Sequence, residues 1–377
     1  MTKGQPIDSH QTGQSDPSIN KLFKALIKHE GSDLHLKVGL PPKMRIKGSL
    51  RAMKADILDD MTMEELIFGI LTDEQKEFFL KRGSIDFAHA LTEKDRFRVN
   101  VFRQKGHIGL VARRIDSDIP PFEKLNLPPI ISDIAEYPTG LVLVVGPTGS
   151  GKSTTIASMI DKINREESCH IVTIEDPIEY VHTDKKAIVN QREVGIDCLD
   201  FKDALRGLMR QDPDVVLVGE IRDLETLSAA MQAAETGHLV FGTLHASSAS
   251  QTIQRILDMF PQEERELARQ TFALAIRGII AQMLLPGIQP HAKRVPALEI
   301  MVANSTVRKL LSEEREADIP TVIRSCQNEG MQDFTESLRD LVERELIDLD
   351  TALEYASNKE ELRMALKGIR ASSGAIL

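Results

Sequence analysis

Residues 146–153 read Gly-Pro-Thr-Gly-Ser-Gly-Lys-Ser and fit a phosphate-binding loop at every fixed position. This stretch follows the apolar run Leu-Val-Leu-Val-Val at 141–145, which is typical of a buried strand, and it leads into residues 152–166, which favour a helix. Its glycines can adopt backbone angles that are closed to other residues, so successive N–H groups can point at phosphate oxygens. Strand, glycine-rich loop and helix in this order predict a nucleoside triphosphate site at the helix N-terminus.

Nine consecutive residues form the predicted nucleotide site. Lys152 would place a positive charge near the β- and γ-phosphates, and Ser153 would offer its hydroxyl to Mg²⁺. We therefore expect Mg²⁺ to accompany the nucleotide. The predicted set is Gly146, Pro147, Thr148, Gly149, Ser150, Gly151, Lys152, Ser153 and Thr154.

Length and charge limit the class of protein. The 377 residues suffice for roughly two to three domains, each with its own core. The formal net charge is −10, and no run of five or more Lys or Arg residues occurs. A motor that moves along nucleic acid would more often carry a basic stripe, so we do not expect a nucleic-acid partner.

Cysteine usage and hydropathy bear on the compartment. The three cysteines are isolated and odd in number, which is typical of a reducing cytoplasm and gives no zinc spacing. The sequence has neither the run of about 18 apolar residues that a membrane span needs nor a signal-peptide core at its amino end. Any association with a membrane is therefore expected to be peripheral.

The first third of the chain predicts a small α+β domain at 18–115. Polar residues dominate 1–17, which we expect to be a disordered tail. A helix is expected from Ser18, and a second one from a capping box at Thr62 and Glu65 to Arg82. Predicted strands follow the alternation of apolar residues at 34–38, 44–46, 85–91, 95–103 and 107–115.

A second domain is expected at 122–303, after a linker at 116–121 that contains two adjacent prolines. Its predicted strands are 141–146, 169–174, 214–219 and 238–243. The segments between them are long enough for crossover helices, so we expect a mainly parallel sheet with helices on both faces. Residues 304–377 are predicted to form a C-terminal helical region.

Acidic residues follow two of the predicted strands. Glu175, Asp176 and Glu179 enter a turn held by Pro177, at the sheet edge where open α/β sheets bind ligands. A carboxylate there could activate the attacking water, and Glu179 is our candidate; a solvated acidic turn is the alternative. Glu220 follows the next apolar strand and would bind the metal ion, unless it is only a surface carboxylate.

Two histidines bracket the fourth predicted strand. His238 and His245 are seven residues apart, which places them on opposite faces of an ideal strand, so we do not expect them to bind one metal ion together. We expect one to be structural and His245, at the carboxyl end, to meet the γ-phosphate.

Four segments stand in the order and spacing of the secretion ATPase superfamily: 146–153, 175–179, 219–223 and 237–245. Three further segments, 32–36, 96–100 and 190–194, extend the resemblance to the PilT/PilU branch, the retraction ATPases of type IV pili. The resemblance covers about residues 18–349. The resemblance implies a PAS-like N-terminal domain, a RecA-like P-loop ATPase domain, and a homohexamer with ATP at subunit boundaries.

The resemblance also implies roles for individual residues. It makes Lys152 the phosphate-loop lysine, Glu179 catalytic, Glu220 the Walker B acid and His245 the histidine of the histidine box. It further places arginines of the first domain against the triphosphate. Arg98 and Arg113 are the candidates, because an arginine on the polar face of a strand can reach an anion.

One family motif is incomplete. Retraction ATPases carry Ala-Ile-Arg-Asn-Leu-Ile-Arg-Glu, and the aligned residues 306–313 match at Arg308, Leu310 and Glu313 but have Ser312 in place of the second arginine. This departure favours an accessory, PilU-like role beside a paralogous retraction ATPase as an alternative. Extension motors usually carry a four-cysteine zinc site, which three scattered cysteines cannot build.

The implied function is ATP hydrolysis that powers pilus retraction through a PilC-like platform protein, at the cytoplasmic face of the inner membrane. Besides the accessory role, a pilus or secretion assembly ATPase, a nucleic-acid translocase and a scaffold that binds ATP without hydrolysing it stay open as alternatives.

Overall fold

The computed structural model describes residues 19–46, 48–92, 95–115, 118–208, 210–290 and 292–368. The chain divides into two compact units, Met1–Ser117 and Asp118–Leu377. The predicted tail at 1–17, the first two residues of the predicted linker and the last nine residues of the chain lie outside the described residues.

The first unit is an antiparallel sheet with helices. Within its described residues six strands are hydrogen-bonded in the order β3-β2-β1-β6-β5-β4. They are β1 (Asp33–Lys37), β2 (Lys43–Ile46), β3 (Ser49–Ala52), β4 (Ser84–Ala90), β5 (Arg96–Gln104) and β6 (His107–Ile115). Along β5 the alternation predicted from the sequence is confirmed, because Phe97, Val99 and Val101 are fully buried. Helix α1 (Asn20–Lys28) adds Phe23, whose ring stacks on that of Phe97 at 4.3 Å.

The single helix predicted from Thr62 to Arg82 is wrong, since the structure has two: α2 (Asp60–Phe68) and α3 (Asp73–Arg82). Asp59 caps the first, accepting the Thr62 N–H at 2.8 Å. The capping box lies at the start of the second helix, between Thr72 and Gln75. The first helix ends at Gly69, a poor helix former, and Thr72 then caps a new helix.

The second unit contains a mainly parallel sheet, as predicted. Across its described residues seven strands follow the order β13-β12-β7-β11-β10-β8-β9. Neighbours pair in parallel except β12 and β13, which are antiparallel. The strands are β7 (Gly140–Val145), β8 (His170–Glu175), β9 (Ile188–Glu193), β10 (Val215–Val218), β11 (Leu239–Leu244), β12 (Ile276–Gln289) and β13 (Ala292–Val302). The four predicted strands are confirmed, whereas β9, β12 and β13 were not predicted.

Helices cover both faces of this sheet, which explains why its central strands are continuous apolar runs. Leu141, Leu143 and Val145 of β7 pack in one hydrophobic cluster, and Val142 and Val144 pack in another on the opposite face. The helices up to β12 are α4 (Phe122–Leu125), α5 (Ile130–Ala135), α6 (Lys152–Glu166), α7 (Phe201–Leu208), α8 (Leu224–Glu235), α9 (Ala249–Asp258) and α10 (Arg265–Ala275).

The C-terminal region is helical, as predicted. Asn304 caps its first helix by accepting the Val307 N–H at 2.9 Å. The helices are α11 (Ser305–Ser312), α12 (Ile319–Ser325), α13 (Phe334–Glu343), α14 (Leu349–Tyr355) and α15 (Lys359–Leu366). In the described part of the chain, none of the helices has the length and apolar character required to cross a membrane.

Candidate functional site

The sheet of the second unit brings the candidate residues to one edge. Strands β7, β11, β10 and β8 are consecutive neighbours and parallel, so their carboxyl ends lie side by side. The glycine-rich loop follows β7, the acidic turn follows β8, Glu220 follows β10 and His245 follows β11. This edge is where open α/β sheets bind their ligands.

The glycine-rich loop has the backbone that its sequence predicts. Gly146, Gly149 and Gly151 have φ values of 153°, 79° and 89°, which favour glycine. At Gly146 space is an additional constraint, because a Cβ atom would lie 2.2 Å from the carbonyl oxygen of Gln282. Helix α6 begins at Lys152, directly after the last glycine of the loop, so its free N–H groups face the place where an anion would bind.

Gln282, on β12, holds the loop in place and was not identified from the sequence. Its side chain is only 3% exposed. Its Nε2 donates to the carbonyl oxygen of Ser150 at 2.7 Å, and its Oε1 accepts from Thr155 Oγ1 at 2.8 Å. The amide thus connects the loop to the first turn of α6. Its partners are over 120 residues away in the sequence, so no local pattern could reveal the contact.

Lys152 lies across the loop. Its Nζ donates to the carbonyl oxygens of Gly146 at 2.8 Å and of Pro147 at 3.1 Å. Burial lowers the pKa of Lys152, and the nearby carboxylates of Glu220 and Glu179 act in the opposite direction. Both acids are therefore close enough to interact with the lysine that would meet the phosphates.

Glu220 lies between a histidine and an arginine. Its Oε2 accepts from Arg222 Nη2 at 2.5 Å, and its Oε1 lies 3.3 Å from His245 Nε2. The hydrogen bond from Arg222 is the main cause that lowers the pKa of Glu220, so the carboxyl group is ionised at neutral pH. Arg222 also approaches Asp176, with Nη1 3.9 Å from Oδ2. Arg222 lies within the segment 219–223, but the sequence pattern alone does not point to it.

The acidic turn holds one buried and one exposed carboxyl group. Glu175 is buried at the end of β8, and burial raises its pKa to about 7. It accepts from Thr173 Oγ1 at 2.6 Å and from the backbone N–H of Glu179 at 3.4 Å. Glu179 is exposed, so its carboxylate is accessible to a water molecule and a ligand.

The two histidines differ in their surroundings. His238 precedes β11, and its Nδ1 lies 2.9 Å from the carbonyl oxygen of Ala233, a local contact. His245 is at the other end of the strand, beside Glu220, with 42% of its side chain exposed. The structure thus places His238 in a local backbone contact and His245 beside Glu220.

The candidate arginines lie in the first unit. Arg98 on β5 is opposite Arg113 on β6, and Arg113 is opposite Asp33 on β1. Arg113 Nε donates to Asp33 Oδ1 at 2.9 Å, yet 74% of the arginine side chain is exposed. Asp33 therefore balances part of the positive charge of Arg113, while most of the Arg113 side chain faces solvent.

The residues at the edge of the second sheet suit a nucleotide with Mg²⁺. Ser153, in the first turn of α6, and ionised Glu220 provide the oxygen ligands that Mg²⁺ prefers. Among the residues that the structure describes, no three His, Cys, Asp or Glu side chains form a group that could hold a metal ion by themselves. A site completed by phosphate oxygens is consistent with this chemistry.

Comparison with known proteins identifies similar chains. The family described as "Type II/IV secretion system protein" matches residues 96–370. The type IV pilus retraction ATPase PilT of Pseudomonas aeruginosa is 43% identical over 342 residues, covering 91% of this chain and 99% of that protein. A twitching motility protein of Neisseria gonorrhoeae is 43% identical, covering 85% and 86%. The P. aeruginosa pilus ATPase PilU is 35% identical, covering 93% and 91%.

Solved structures are similar as well. The crystal structure of the pilus retraction motor PilT with bound ADP has a TM-score of 0.85 at 43% identity, covering 92% of this chain and 99% of that chain. The ATPase DotB of Legionella pneumophila has a TM-score of 0.73 at 28% identity, covering 91% and 96%. Both similarities extend over nearly the whole chain.

Proposed function

Because the chain belongs to the type II/IV secretion system protein family, we propose that it hydrolyses ATP to power the retraction of type IV pili. The observation that carries this proposal is the 43% identity to PilT over 99% of that protein, together with a complete phosphate loop. The similar PilT structure contains bound ADP, which supports nucleotide binding by this chain. The lower identity to PilU makes the accessory retraction role the second candidate.

We propose that the residues at the sheet edge divide the work of hydrolysis. Nucleotide phosphates contact the loop of residues 146–154, with Lys152 balancing their charge. Ser153 and Glu220 would hold Mg²⁺, which supplies positive charge to the phosphate oxygens when bound. Glu179 orients the attacking water and accepts its proton, since its carboxylate is exposed in the turn beside Lys152. His245, next to Glu220, would contact the γ-phosphate.

We also propose that Arg98 and Arg113 complete the site of a neighbouring copy in a homohexamer. They belong to the first unit, whereas the phosphate loop belongs to the second. Exposed guanidinium groups are well suited to stabilise charge on a phosphoryl group in transfer. The assembly would work through a PilC-like platform protein, on the cytoplasmic face of the inner membrane.

Mixing two inactive variants tests this sharing. Lys152→Ala subunits and Arg98→Ala/Arg113→Ala subunits should together regain part of the ATPase activity, because some boundaries would combine an intact loop with intact arginines. The measurement is the ATPase rate across mixing ratios. Activity that never exceeds the sum of the two separate variants would contradict the arrangement.

Surface pili test the direction of movement. Cells that lack the chain should keep or accumulate surface pili yet fail to twitch, and Lys152→Ala should not restore twitching. Pili that still retract under low load would indicate the accessory role. Loss of surface pili on deletion would contradict retraction and point to pilus assembly.

A further inference from the structure

The backbone around Glu179 is held by side chains on two sides. Before it, the N–H of Ile178 donates to Glu193 Oε2 at 3.4 Å. The N–H of Glu179 itself donates to Glu175 Oε2, also at 3.4 Å. The backbone at Glu179 is thus fixed by two buried carboxyl groups, those of Glu175 and Glu193, whereas the Glu179 carboxylate itself is exposed.

Gln191 organises the residues that follow Glu179. It lies on β9 opposite Thr173 of β8, one strand away from the turn. Its Nε2 donates to the carbonyl oxygen of Tyr180 at 2.8 Å and to Glu175 Oε1 at 3.1 Å. Its Oε1 accepts the N–H of His182 at 2.7 Å. One amide group therefore contacts the turn on both sides of Glu179.

Tyr180 connects the same turn to the phosphate loop. Its hydroxyl lies 2.8 Å from Thr154 Oγ1, in the first turn of α6 and next to Ser153. Gln191 holds the Tyr180 backbone, and Thr154 holds the end of its side chain. This hydrogen bond links the turn that carries Glu179 to the phosphate loop, and hydrolysis requires these two segments to keep a fixed relative position.

We infer that Tyr180 and Gln191 are positioning residues that keep Glu179 at a fixed place relative to the phosphate loop. This inference rests on the proposed role of Glu179 in hydrolysis. Small displacements of a catalytic group cost rate, because proton transfer requires hydrogen-bond geometry. Binding of ATP depends instead on the loop itself, so loss of the Tyr180 contact affects turnover and not affinity.

Tyr180→Phe is the direct test, because it removes one hydroxyl and keeps the ring. In the full-length protein kcat should fall about 3- to 10-fold, the range expected from one hydrogen bond. KM and the Kd for ATP should stay within about 2-fold of the parent. Tyr355→Phe is the matched control, since Tyr355 is 40% exposed on α14, and its kcat should equal the parental value.

A double variant separates positioning from a direct effect on the loop. In a Glu179→Gln background, Tyr180→Phe should cause no further loss of kcat, because there is no longer a carboxylate to position. Equal losses in both backgrounds, or a matching loss of ATP affinity, would overturn the inference.

The same data distinguish this inference from the proposed function. Reduced hydrolysis by Glu179→Gln with parental kcat in Tyr180→Phe would overturn the inference alone. Parental hydrolysis by Glu179→Gln would overturn both. Gln191→Leu provides a second variant, expected to lower kcat at unchanged Kd for ATP.

Discussion

Glu175 makes the stability of the fold depend on pH. Burial raises its pKa from 4.5 to about 7, so the folded chain binds this proton more tightly than the unfolded chain. The stabilising contribution is therefore complete below about pH 4.5 and is lost as the pH rises through about 7. Well above pH 7 this shift corresponds to a loss of about 3 kcal/mol from the free energy of unfolding, since one pKa unit equals about 1.4 kcal/mol.

Replacing Glu175 with glutamine should remove this dependence, because the amide has no proton to lose. The difference in Tm between Glu175→Gln and the parent should move in favour of the variant as the pH is raised from 5 to 8. Thermal unfolding at several pH values measures it. Glu354→Gln, an exposed carboxyl on α14, is the control and should show no such trend. A Tm difference that does not change with pH would contradict the raised pKa of the buried Glu175 carboxyl group.

Single residues of the site were predictable when they follow a strand. Lys152, Glu179, Glu220 and His245 each come after an apolar run, so their meeting at one sheet edge follows from parallel pairing. Gln282 could not be found in this way, since it contacts Ser150 across 132 residues of sequence. Such contacts depend on which strands become neighbours, and that information is not local.

At the scale of elements, apolar runs predicted the four central strands but not the pair β12 and β13. Central parallel strands are buried on both faces and are therefore continuous in hydrophobicity. The two long strands pair antiparallel with each other. In β12 the apolar run is interrupted by Arg277, Pro286 and Gly287, and in β13 it is interrupted by Pro296. Such residues are typical of loops, so the pattern gave no strand signal.

The structure shows what Arg308 and Ser312 of the incomplete retraction motif contact. Arg308 on α11 donates to the carbonyl oxygens of Ala303, Leu274 and Ile276, so it holds the end of α10 and the start of β12. Burial lowers the pKa of Arg308, with the charge of Arg277 as a second cause. Ser312 is exposed, and its hydroxyl donates to the carbonyl oxygen of Lys309. The matching arginine thus supports the fold, while the altered position faces outward.

At the scale of the whole molecule, the two units contribute different chemistry. The second unit carries the phosphate loop, Glu179, Glu220 and His245, whereas the first carries the candidate arginines. The net charge of −10 favours a protein partner over a nucleic-acid track. ATP turnover by the assembled protein, rather than nucleotide binding alone, therefore distinguishes a motor from a scaffold.

The most direct measurement is ATP hydrolysis by the parent, Lys152→Ala and Glu179→Gln proteins, each with and without DNA. The parent should hydrolyse ATP at a rate that DNA does not change. Lys152→Ala should weaken both ATP binding and turnover, while Glu179→Gln should still bind ATP but lose about 100-fold or more in its rate of hydrolysis. Equal rates for Glu179→Gln and the parent would remove Glu179 from the mechanism, and turnover stimulated by DNA with steeply salt-dependent binding would indicate a nucleic-acid translocase instead of a pilus motor.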